Sequence, residues 1–364
     1  MTKVESSSQT RPVDWSPGSD GDRQDRRLVS TEAKRWPALS STQVLWAGVA
    51  FSALFTALVW ALDYRLQSIE LLPDTGATWY YWKLPAPTFW TRATSWGFYL
   101  AHQLVIWGIV YYAQSHRKHR YTKGLHRANV WALTANAFFI LVHLAQTHIW
   151  YDGLAQDTPI WSSQGAVIVL LVWVLLMENS RRGQFFGRPA PFSKEVVRFA
   201  RTYHGYFFAW AIIYTFWFHP MVSTSGHLIG FFYMFLLLLQ GSLFYTRIHT
   251  NRWWTFTLEL LVLVHGTLVA VMQGNGLWPM FFFGFAGILV ITQMYGLGLS
   301  LRVRLVVLGA FIALALLVYG QLGWARINEI VRIPLIEYAS VFALAGIFWL
   351  GLWVARRLRR EQMA

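Results

Sequence analysis

The chain has 364 residues, 55% hydrophobic and 13% charged, with a formal net charge of +14 and no cysteine. A soluble domain carries about a quarter charged residues; here the apolar residues fall in long blocks, which argues against a water-soluble fold. The missing thiols exclude disulfides, zinc–thiolate and iron–sulfur sites and thiolate-ligated haem. The positive charge lies in short segments between apolar blocks, a membrane-topology pattern that argues against a nucleic-acid partner.

Residues 1–43 are polar and rich in Ser, Asp and Arg. They read as a cytoplasmic tail that cannot bury a core. The first apolar block starts near Val44, too far along for a secretory signal. Ten blocks follow, near 44–64, 93–114, 128–149, 161–178, 203–219, 226–246, 253–273, 277–299, 304–323 and 337–355. Each is roughly 17–23 residues, enough to cross a hydrocarbon core of ~30 Å as a helix. The expected fold is all-α: a polytopic integral membrane bundle of about ten transmembrane helices over 44–355, followed by a basic cytoplasmic tail, 356–364. The block at 203–219 is the shortest and reads as partly interfacial. Pro220 and the Ser225/Gly226 pair predict a tight hairpin between blocks five and six.

With the N-terminus on the cytoplasmic side, 26 of the 31 Lys and Arg fall on that side. This asymmetry places both termini in the cytoplasm and suits a bacterial or archaeal inner membrane. The outer loop 65–92 contains "TWYYWKLPAPTFW", an aromatic belt or a lid over an outward-facing site. Gly284, Gly287, Gly296 and Gly298 suit close helix approach.

Topology sorts the eleven histidines. His116, His119, His126, His204 and His249 lie at the inner side and read as interfacial. His102, His143 and His265 sit in the outer half, at depths of roughly 10–14 Å by helical rise. His148, His219 and His227 lie at the outer boundary. Histidine inside a membrane is a functional candidate by default, although each ring would also serve simply to bond a neighbouring helix.

Three chemistries follow. The preferred one is electron transfer through a b-type haem held by two of His102, His143 and His265, with His219 and His227 flanking it. A quinone, a redox partner or another membrane subunit would then exchange electrons near the outer face, making the chain a membrane oxidoreductase or part of one. The second is a membrane enzyme acting on a lipid or quinone, with His102, His143 and His265 holding Zn, Cu or non-haem Fe. Against it, His143 and His148 are five residues apart in "HLAQTH", which sets them ~140° apart on a helix. The third is a transporter or channel with a His-lined polar cavity, in which Glu259, Asn136 and Gln103 add polar groups. Glu259 and His265 do not share a helix face, no Asp or Lys lies deep in a span, and no span shows a central proline break. A cofactor-free subunit is the remaining reading.

Overall fold

The computed structural model describes residues 39–73, 83–116 and 121–362. The chain divides into units 1–40 and 41–364. The polar tail falls outside the described residues up to position 38, as do residues 78–82 of the aromatic loop.

Ten α-helices are present among the described residues: α1 (Ser41–Leu62), α2 (Phe89–Ser115), α3 (Arg127–Ile149), α4 (Ile160–Arg182), α5 (Lys194–Phe218), α6 (Ser225–Ser242), α7 (Arg252–Met272), α8 (Trp278–Ile291), α9 (Leu301–Leu322) and α10 (Glu329–Glu361). No strand occurs among those residues, only two isolated β-bridges. Local sequence sets where helices begin. Thr88, Ser193, Thr224, Asn251 and Ser300 each stand at an N-cap and accept a backbone N–H from the first turn, which satisfies donors the helix itself leaves orphaned. Gly183 and Gly323 close α4 and α9 at positive φ, 76° and 101°, where a side chain is strained.

Seven helical segments are long and apolar enough to cross a membrane: α1, α3, α4, α6, α7, α9 and α10. The other three differ for separate reasons. α2 carries Arg92, His102 and Gln103. α5 starts nine residues before its apolar block with the charged "KEVVRFARTYH". α8 has only 14 residues and spans ~21 Å by helical rise. The run predicted at 277–299 is therefore interrupted: α8 ends at Ile291, and a 3-10 segment takes over at Gln293–Leu297. α10 starts earlier than its apolar block and contains Pro334.

Two groups of helices pack together. α2 lies against α3 and α5, α1 against α6, and α3 and α5 against α6. Their shared core is aromatic, with Phe216, Trp217, Phe218, Phe231 and Phe235 almost fully buried. In the second group α8 lies against α7, α9 and α10, and α10 against α4. The α4–α5 and α6–α7 contacts join the groups.

Candidate functional site: a buried imidazole row

The bundle centre is built from α2, α3 and the connection between α5 and α6. That connection is pinned at two points. Thr147 Oγ1 accepts the Met221 N–H at 2.9 Å, and Asp63 Oδ1 accepts the Ser223 N–H at 2.8 Å. These bonds hold His219 and His227 over the ends of α1 and α3.

His102 on α2 is fully buried and fully bonded. Trp217 Nε1 lies 3.2 Å from His102 Nδ1, and an indole N–H can only donate. Nδ1 is therefore the acceptor, so Nε2 carries the hydrogen and donates to Asn136 Oδ1 at 2.8 Å. The amide orientation agrees, because Asn136 Nδ2 donates to Ser242 Oγ at 2.8 Å and to the Leu238 carbonyl at 3.3 Å. Phe139 stacks on one face of the ring, 4.4 Å between centroids.

His143 on α3 is its opposite. It too is fully buried, yet neither ring nitrogen makes a hydrogen bond of good geometry, the His219 backbone being the polar group within its reach. The Trp217 ring stacks on it at 4.3 Å, and Phe216 meets it edge-on at 4.6 Å. Trp217 thus stands between the two histidines, bonded to one and stacked on the other. His219 and His227 are neighbours, with ring centroids 4.9 Å apart; His227 Nδ1 lies 2.6 Å from Thr224 Oγ1. His265 on α7 faces α6, where a Cβ on Gly230 would come within 3.0 Å of its Nε2. His102 lies within electrostatic reach of His143, His143 of His219, and His227 and His265 of His219 and of each other. The five predicted site residues therefore form a row and do not converge on a single point.

This order bears on the cofactor expectations. His102 has no lone pair to offer an iron: one nitrogen accepts from Trp217 and the other bears its hydrogen. A porphyrin between His102 and His143 would also have to displace the Trp217 indole. Of this pair, only His143 keeps its nitrogens available. Among the described residues, no three His, Asp or Glu side chains come together as a metal-binding group. His148 bonds backbone instead, with its Nδ1 2.8 Å from the Leu144 carbonyl and its Nε2 3.4 Å from that of Leu62.

Sequence reasoning named Asn136 and Gln103 as polar groups within the spans but missed Thr91, Ser95, Asn129, Gln146 and Ser242 beside them. Asn136 leads to Ser242 on α6, and Asn129 donates to the Ser242 and Phe244 carbonyls, both at 2.8 Å. Thr91, Ser95 and His102 lie buried on one face of α2, with Gln103 buried beside them. Gln146 Nε2 donates to Ser95 Oγ at 3.0 Å. Asp152, 2% exposed, accepts the Gly153 N–H on Oδ1 and leaves Oδ2 unpaired. Burial pushes its carboxyl from 3.8 up to about 6. The signal was present in the spacing of Thr91, Ser95 and His102, which places small polar groups on one helical face.

The chain was compared with models of known families, with characterised proteins and with solved structures, and none matches it.

Proposed function

We propose that the protein is an integral membrane transporter or channel that carries protons through a histidine- and amide-lined interior. The observation that supports it best is His143, whose free ring nitrogens lie between a neutral, fully bonded His102 and the His219–His227 pair. Imidazole is the side chain best suited to accept a proton on one nitrogen and release it from the other, and buried polar residues in an apolar bundle mark ion and proton paths. The amide column through Asn136 and Asn129 continues the polar track toward the inner side. In this reading all ten helices belong to the membrane-embedded bundle and both termini are cytoplasmic. The Lys and Arg asymmetry supports that orientation, in a bacterial or archaeal inner membrane with lipid as the surrounding partner.

The test is reconstitution into liposomes containing a trapped pH dye, with an imposed potassium-diffusion potential. Proton uptake that His143→Ala abolishes is the expected result. A preparation that moves no protons overturns the proposal.

A second reading, haem-based electron transfer with a quinone or protein partner, is supported by the same free nitrogens, since His143 would be its axial ligand. A dithionite-reduced α band with stoichiometric iron, lost in His143→Ala, is its signature. Stoichiometric zinc, copper or iron in a colourless sample would instead indicate the membrane-enzyme reading.

A further inference from the structure

A second polar centre lies on the other side of α7 and involves none of the histidines. The interrupted helix α8 leads into it. Past Ile291 the chain turns into the 3-10 segment, and Gln293 there lines a cavity of about 20 Å³ together with Arg182 from α4, Glu259 from α7 and Glu337 from α10. Its walls are otherwise apolar, among them Leu171, Val262 and Phe285.

The charges in this cavity do not balance. Arg182 Nη1 donates to both carboxylate oxygens of Glu259, at 2.8 and 2.7 Å, so those two neutralise each other. Glu337 is then one carboxyl too many. It is 2% exposed, and its Oε2 has no partner. Among the described residues no other cation acts on it: α8 carries no charged residue, and Arg181 of α4 is paired with Glu178. On α5, Glu195 meets Arg356 far along α10, at 2.7 Å. Tyr338, beside it on the same helix, is bonded to Thr292 at 2.6 Å. An unpaired carboxylate in such surroundings is far costlier than the neutral acid. Arg182 meanwhile has two unpartnered donors, Nε and Nη2. The cavity is large enough for a single water, and a buried water needs two to four polar partners; the unpaired groups here supply them.

We propose that Glu337 is a proton-binding site: its neutral carboxyl and one buried water complete a polar centre with the Arg182–Glu259 pair and Gln293. The ligand is a proton. The water accepts from the protonated carboxyl or from Arg182, and the site exchanges its proton through that water.

Infrared difference spectroscopy of the purified full chain at neutral pH tests this. The wild type should show the carbonyl band of a neutral carboxylic acid, shifted in deuterium oxide. The near-isosteric Glu337→Gln should remove the band, and Glu259→Gln should leave it in place. If the wild type lacks the band, or if Glu259→Gln removes it and Glu337→Gln does not, the assignment is overturned. Loss of the band when sodium replaces choline in the buffer would also overturn it, by showing a site for a metal cation.

Discussion

Trp217 sets the state of two histidines at once, and its two contacts are separable. Trp217→Phe keeps an aromatic ring over His143 and removes the N–H that His102 accepts, together with part of a fully buried ring. Leaving a buried acceptor unsatisfied costs about 1–3 kcal/mol, and thermal unfolding in detergent should record a loss of that order. His102 then gains a free lone pair, and haem reconstitution of the variant would show whether Trp217 was what withheld it. Asp152 carries a different signature. Its carboxyl titrates at about 6 when folded, against 3.8 ordinarily. Between those values the folded chain binds more protons than the unfolded one, so this residue makes stability fall as pH rises through that window. Asp152→Asn should flatten that part of the stability–pH curve, as measured by unfolding midpoints across the acidic range.

At the scale of elements, the Arg182–Glu259 ion pair ties together α4 and α7, two helices that otherwise make few contacts with each other. The side chains of Arg182 and Glu259 are 3% and 11% exposed. Removing one partner of a buried pair strands the other and costs about 3–5 kcal/mol, whereas replacing both with apolar residues is often neutral. Arg182→Met alone should therefore lower the unfolding midpoint strongly, and the double variant Arg182→Met/Glu259→Leu should recover most of the loss. The pair was hard to see in the sequence. Glu259 is visible as an isolated acid in an apolar run, but Arg182 reads as one of the basic residues that every inner loop carries. The same holds for α8. Its glycines signalled close packing, and Gly284 and Gly287 do meet Ile333 and Pro334 of α10. An apolar run continuing past Ile291 nevertheless gave no sign that the helix stops there. Periodicity and composition identify an apolar segment well and its interruptions poorly, because Thr292 and Gln293 are tolerated by helix and loop alike.

For the whole molecule, the ten apolar blocks were legible because burial in lipid or protein demands continuous runs; seven became helices within a few residues of their expected ends, while α5 and α10 begin eight or nine residues early and α8 stops eight residues short. The histidines were legible as a set and not as a constellation. Depth along a helix follows from residue count, but which helices become neighbours does not, and α2 and α7, which carry His102 and His265, do not pack closely against each other. α9 illustrates the opposite regime. Of its 22 residues only Ala315 and Tyr319 are buried, and Tyr319 packs against Phe283 of α8 at 5.3 Å. Tyr319→Ala should cost about 3–5 kcal/mol, the usual range for emptying a large buried aromatic site, read as a lower unfolding midpoint. Phe311 and Val318 also pack on that cluster; the outward face of the helix answers to its solvent alone. Shuffling Leu305, Val306, Ile312, Leu316 and Leu317 among themselves leaves the apolar surface offered to lipid nearly unchanged, so a library of such permutations should be expressed and assembled like the parent. The outward face of α9 is thus a stretch in which mutations accumulate without consequence, whereas around Trp217 and Arg182 single substitutions are costly.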